Sequence, residues 1–236
     1  MPQTHIMLAF DRDLASIQEQ VLRMGSLVEA ALVDAAEALE TRDAATAQRV
    51  RAGDKDIDAL EEKINSDCAR LIALRAPAAS DLRTVLTVMK IAANLERCGD
   101  YAKNLAKRSL VLAEMTTLPV PTGAIRQMAK HVSALLTDAL AAFVARDVAL
   151  AAEVRQRDQE VDQMYSALFR ELLTEMMEDH RNITPAMHLH FIAKNIERVG
   201  DHATAVAEQV IYLVTGALPG DDRPKLDSTA AGTPDV

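Results

Sequence analysis

The segment Asn94-Leu95-Glu96-Arg97-Cys98-Gly99-Asp100 returns 101 positions later as Asn195-Ile196-Glu197-Arg198-Val199-Gly200-Asp201, and this duplication restricts the fold more than any other feature. The likeness extends upstream. Met24, Asp34, Arg42, Asp43, Asp54 and Asp58 recur as Met128, Asp138, Arg146, Asp147, Asp158 and Asp162, each 104 positions on. A whole structural unit has been copied, and three residues have been lost from the second copy between Asp162 and Glu197, where a turn absorbs them best. So long a period predicts two duplicated units rather than a solenoid of short repeats.

Proline falls only at positions 2, 77, 119, 121, 185, 219, 224 and 234. The tracts between are rich in Ala, Leu, Glu, Arg and Met and read as helices. The first spans about 5 to 40 and breaks at Thr41-Arg42-Asp43, where Asp43 is placed to cap the second helix, as Asp147 is after Arg146 in the second copy. The second helix ends near Pro77, and the third runs from Ser80-Asp81 to about Met115. Leu118-Pro119-Val120-Pro121 links the halves, and the second unit repeats the plan over about 122–145, 147–179 and 184–215. With aromatics at 3% and no alternating run between hairpin turns, strands find no support. The expected fold is all-α, with two tandem, pseudo-symmetric three-helix bundles. The expected units are residues 1–118 and 119–216, followed by a tail over 217–236 too rich in Pro, Gly, Asp, Ser and Thr to bury a core, and so expected to be disordered.

A hydrophobic share of 49% and a net charge of −9 describe an ordinary globular chain and argue against nucleic acid as a partner. The largest basic cluster, Lys103, Lys107 and Arg108, is modest, and no basic run is interleaved with aromatics. The two cysteines, Cys68 and Cys98, come without a signal peptide or an apolar stretch of spanning length, which places the chain in a reducing, cytoplasmic setting without a disulfide. Val199 stands where Cys98 stands in the first copy, so Cys98 reads as a small buried hydrophobe.

Each repeated segment presents an E-x-x-x-D pair on one helix face, Glu96 with Asp100 and Glu197 with Asp201. A D-x-x-x-D pair precedes each: Asp54 with Asp58, and Asp158 with Asp162. Antiparallel helices turning at Pro77 bring Asp58 level with Glu96, each 19 residues from the turn, and Asp54 level with Asp100, each 23 away. In the second unit Asp162 and Glu197, and likewise Asp158 and Asp201, are equidistant from the Asp179-His180 junction. Four carboxylates at one level repel one another unless cations neutralise them or they point apart, and level alone does not fix azimuth. An all-oxygen donor set suits Mg, Mn, Fe or Zn. No glutamate has a histidine three residues on, so the ferritin-like di-iron pattern is absent.

Gly99 and Gly200 sit inside helices at a cost of about 1 kcal/mol each relative to alanine. Two reasons are open: close helix approach, or room beside the carboxylates for an ion and its waters. Arg97 and Arg198 either hold the carboxylates from behind or form i,i+3 ion pairs with Asp100 and Asp201; Asn94 and Asn195 are equally ambiguous. His188 and His190 diverge around a helix and do not read as a ligand pair, and His202 reads as a surface residue. Met176 and Met177 read as gap-fillers of the core, with a partner-binding surface as the alternative. No nucleophile–base arrangement and no phosphate-binding loop is legible, so the chain does not read as an enzyme.

With both Asn-Leu/Ile-Glu-Arg-x-Gly-Asp segments, the Ala78-Ala79-Ser80-Asp81-Leu82-Arg83 entry to the third helix and the Met176-Met177-Glu178-Asp179 turn, the chain resembles PhoU-type phosphate-signalling regulators over about residues 8–215. The resemblance implies a cytoplasmic, often dimeric protein that bears metal on its E/D-x-x-x-D faces and is peripheral to the membrane only through partners. Those partners are the ATPase subunit of the phosphate ABC transporter and the sensor histidine kinase of the phosphate two-component system. It further implies repression of phosphate uptake and of the starvation response when phosphate is plentiful. Carried over by position, the ligands are Glu96, Asp100, Glu197 and Asp201, joined on the level argument by Asp54, Asp58, Asp158 and Asp162. The alternative is a structural helical interaction protein whose acids carry no functional metal.

Overall fold

The computed structural model describes residues 2–115, 118, 120 and 122–220, with side chains from Phe10 onward. Six long helices form: α1 (Pro2–Thr41), α2 (Ala44–Arg75), α3 (Ser80–Ala113), α4 (Gly123–Ala145), α5 (Val148–Glu178) and α6 (Ile183–Thr215), with a 3₁₀ turn at His180–Asn182 before α6. There is no strand among the described residues. The fold is all-α, two three-helix bundles in series. Of the expected tail, 221–236 lie outside the described residues, while 217–220 are non-helical.

The repeated Arg-Asp dipeptide makes the same reversal twice. Arg42 and Arg146 take left-handed backbone (φ 55° and 53°), and the next residue caps the following helix. Asp43 Oδ1 accepts from the Ala45 and Thr46 amides at 2.9 and 3.1 Å, and Asp147 Oδ1 from Ala149 and Leu150 at 2.9 and 3.0 Å. These bonds satisfy amides that the first helical turn leaves without partners. Asp147→Ala should therefore destabilise by about 1 kcal/mol, read as a fall in melting temperature of about 2–4 °C. The three-residue deletion is absorbed at the α5–α6 turn, where α5 ends and α6 begins nearer the motif acids than their counterparts do.

Each helix of a unit packs on the other two, α1 packs on α4, and α3 on α6, whereas α2 and α5 touch only their own unit. The halves thus meet along two seams and share one continuous core, from Phe10 and Ile17 in α1 to Leu213 in α6. The α1–α4 seam is tight at Gly25, where a Cβ would fall inside the Leu140 side chain.

Contrary to the sequence reading, α4 has the length and apolarity of a membrane span, but half of that window is buried inside the protein. Its neighbours α1, α5 and α6 account for the composition. A second correction concerns Met177, which is 81% exposed on the last turn of α5, beyond the reach of the core, while Met176 packs against it. Cys68 and Cys98 are free and buried, and burial pushes the Cys68 thiol up to about 11 and raises that of Cys98 as well.

Candidate metal-binding faces

In the first unit α2 and α3 bring their acids to one groove. Lys103 Nζ lies 2.5 Å from Asp54 Oδ2 and 3.4 Å from Asp100 Oδ1, so these two carboxylates stand at one level and share a cation. Asp58 and Glu96 hold the next level. Burial raises the Asp58 pKa first, and the negative charge of Asp54 adds to it, with Asp100 and Glu61 contributing further against the opposing Lys103. Glu96 is raised for the same reasons, burial and then Asp100, with smaller contributions from Glu61 and Asp58. Rises of this kind mark a negative field that one lysine does not cancel.

The second unit is drier. Asp158, Asp162 and Glu197 are all buried, and Asp201 is half-buried. Glu197 Oε1 accepts from Lys194 Nζ at 2.8 Å, whereas Oε2 is buried with no hydrogen-bond partner among the described residues. Burial pushes the Glu197 pKa up, Lys194 opposes this, and the charges of Asp201 and Asp162 add to the rise. Lys194 itself lies over the Tyr165 ring, 4.8 Å from its centroid.

The glycines of the two motifs have different reasons. A Cβ on Gly99 would meet Ile57 at 3.1 and 3.2 Å, which is the close approach of α3 to α2. A Cβ on Gly200 would lie 2.5 Å from Asp158 Oδ1, so here the missing side chain makes room for a carboxylate.

Other motif side chains depart from expectation. Arg97 pairs with its neighbour Glu96 at 3.6 Å rather than with Asp100, and Arg198 crosses the α3–α6 seam to lie over Tyr101, 5.8 Å from the ring centroid. The helical offset of Arg198 turns it away from its own carboxylate face and toward the seam, whereas Arg97 stays beside Glu96. His202 is no surface residue: it is half-buried, stacks near Tyr101 and has Nδ1 2.8 Å from Asn94 Oδ1 in the other unit. Its pKa is lowered by burial, with Arg97 and Arg198 adding to this against Asp201. Asn94 also donates to the Lys90 carbonyl at 2.8 Å, and Asn195 is half-buried on α6. His188 faces Arg108, and His190 sits among Tyr165, Phe169 and Phe191, so neither faces the acids. The sequence reading places Lys103 only in a modest basic cluster and does not single out Lys194. The available signal was their i,i+3 spacing from Asp100 and Glu197.

The donors fit a hard cation chemically: all are oxygens, they crowd enough to raise one another's pKa, and a buried Glu197 oxygen lacks a partner. As the side chains stand, no three His, Cys, Asp or Glu among the described residues converge into a ready cage. A lysine instead holds Asp54 and Asp100 in one groove and Glu197 in the other.

Residues 21–109 and 125–210 each match the family model of the PhoU domain. The chain belongs to the PhoU family. It is 45% identical over 223 residues to the phosphate-specific transport system accessory protein PhoU homolog of Caulobacter vibrioides, covering 94% of this chain and 97% of that protein. The PhoU homolog of Xylella fastidiosa is 44% identical over 226 residues, with 96% of this chain and 95% of that protein covered. The crystal structure of PhoU from Pseudomonas aeruginosa superposes with a TM-score of 0.85 at 40% identity, over 88% of this chain and all of that one. The phosphate transport system regulatory protein PhoU from Streptococcus pneumoniae gives 0.83 at 32% identity, over 89% and 99%.

Proposed function

We propose that the protein is a non-enzymatic negative regulator of phosphate uptake and of the phosphate-starvation response. In this reading it is a cytoplasmic, metal-binding adaptor, working as a homodimer, between the ATPase subunit of the phosphate ABC transporter and the sensor histidine kinase. The observation that carries the reading is the match of both repeats, each with its E-x-x-x-D face, to a family whose relatives are named as accessory and regulatory proteins of phosphate transport. Glu96, Asp100, Asp54 and Asp58 would hold metal in one groove, and Glu197, Asp201, Asp158 and Asp162 in the other. A bound Fe, Zn, Mn or Mg ion would neutralise crowded carboxylates and fix the two helices of each groove to one another.

Elemental analysis of protein purified without chelator or tag metal tests the metal. Glu96→Ala/Asp100→Ala is expected to lose the first groove's metal and Glu197→Ala/Asp201→Ala the second's. Unchanged metal content in both variants sinks the ligand assignment. Pull-downs with the purified ATPase subunit and the kinase's cytoplasmic part test the adaptor role, and failure to retain either one rejects it. The lysines in the grooves favour a second reading, a helical interaction protein whose acids are neutralised from within. Metal-free protein that still retains both partners would decide for it.

A further inference from the structure

The α3–α6 seam separates charge. Four acids of α3 and α6 turn toward the outer helices: Glu96 and Asp100 toward α2, and Glu197 and Glu208 toward α5. Cations line the seam between them. Arg83 and Lys90 of α3 both lie over Tyr212 of α6, at 5.7 and 5.6 Å from the centroid; Arg198 of α6 lies over Tyr101; Arg108 of α3 lies over Phe191 at 4.4 Å. The ion pairs of the described residues involve none of these four. In a chain of net charge −9, an uncompensated cationic strip along the junction of its halves calls for a ligand.

We infer that this strip docks an acidic protein segment, laid along the α3–α6 seam with its carboxylates on Arg83, Lys90, Arg198 and Arg108. The inference rests on the adaptor reading only for which protein supplies the segment. The overall charge of −9 favours an acidic segment laid in a narrow strip over an anionic bilayer, whose extended surface would repel the rest of the chain, even though Phe191 is 41% exposed beside Arg108. The guanidinium groups of Arg83, Arg108 and Arg198, each over a ring, present forks suited to bidentate carboxylate binding. Arg83 and Lys90 leave the α3 backbone seven residues apart, about 10.5 Å along the axis, and both charged ends reach the Tyr212 ring, so they form one paired station for the acids of a partner helix.

The probe is a fluorescent helical peptide carrying Glu at every seventh position and alanine elsewhere on that face, titrated by anisotropy at low and at 0.3 M salt. Wild-type protein should bind it with strong salt dependence. Arg83→Glu/Lys90→Glu/Arg198→Glu should weaken binding at least tenfold, and the milder Arg83→Gln/Lys90→Gln/Arg198→Gln should weaken it in the same direction, both with circular dichroism spectra unchanged. A control, Arg23→Glu/Lys130→Glu, reverses exposed cations on α1 and α4 and should leave binding intact. No peptide binding, or equal binding by wild type and the seam variants, overturns the inference. Seam-dependent sedimentation with phosphatidylserine vesicles in place of peptide binding overturns it in favour of a membrane. Retention of the transporter ATPase and the kinase separates the two readings. Peptide binding without either partner rejects the adaptor reading and keeps the strip; partners retained equally by the seam variants reject the strip and keep the adaptor.

Discussion

Gly200→Ala should lower the melting temperature of metal-free protein by about 4–8 °C, while Gly99→Ala should leave it within about 2 °C of wild type. Both substitutions gain about 1 kcal/mol of helix propensity. They differ in what the new methyl meets. At position 99 it meets Ile57, whose branches must yield by only a few tenths of an ångström. At position 200 it meets the carboxylate of Asp158, which is 1% exposed and has no room to retreat toward solvent. Overpacking costs about 1–3 kcal/mol, and pulling a buried oxygen from its surroundings costs about 1–3 kcal/mol more. The balance is a net loss of about 1–5 kcal/mol for Gly200→Ala, and the expected shift corresponds to about 2 kcal/mol within that range. Equal losses at the two glycines would show that both serve helix approach alone. Asp158→Ser should rescue Gly200→Ala, because it removes the atom in the way, and should do nothing for Gly99→Ala.

That contrast marks how far the sequence could be read. The duplication, the six helices and their caps were legible because they are written in periods and in local chemistry: proline-free tracts, Arg-Asp reversals, and a shared offset. The levels of the acids were legible because helix rise is constant, and Lys103 does bridge Asp54 and Asp100. What local rules do not carry is azimuth and partner choice. The homologous glycines look alike in sequence, and only the packed neighbour, Ile57 or Asp158, separates them. Arg97 and Arg198 looked like i,i+3 partners of Asp100 and Asp201, yet Arg97 pairs with its chain neighbour Glu96 and Arg198 crosses the α3–α6 seam to Tyr101. His202 looked exposed because nothing local reveals that the same helix also forms the junction between the halves. The repeat told what each unit is; it did not tell how the units face one another.

Glu197→Gln should stabilise the metal-free protein at pH 7.5 and weaken its stabilisation by metal, reversing the order of the two proteins when metal is added. Glu197 is buried, with one oxygen lacking a partner, and burial and Asp201 raise its folded-state pKa above the ordinary value of 4.5. The folded state therefore binds this proton more tightly than the unfolded state does, so the ionised carboxylate costs stability. That cost is complete above the raised folded-state pKa and fades as pH falls through it toward 4.5. A neutral amide avoids the cost, giving about 1 kcal/mol at pH 7.5, a gain that closes as the pH is lowered to 4.5. The same buried negative charge is what a cation would stabilise. Manganese at about a hundred times its dissociation constant adds about 2.7 kcal/mol to a protein that binds it only when folded, and that gain should grow with pH as protons cease to compete. Wild type should then melt above the variant at pH 7.5 with metal and below it without. Parallel shifts of both proteins on adding manganese would show that Glu197 is a buried acid held by Lys194 and nothing more, because exchanging an anionic ligand for a neutral amide weakens the hold on a cation.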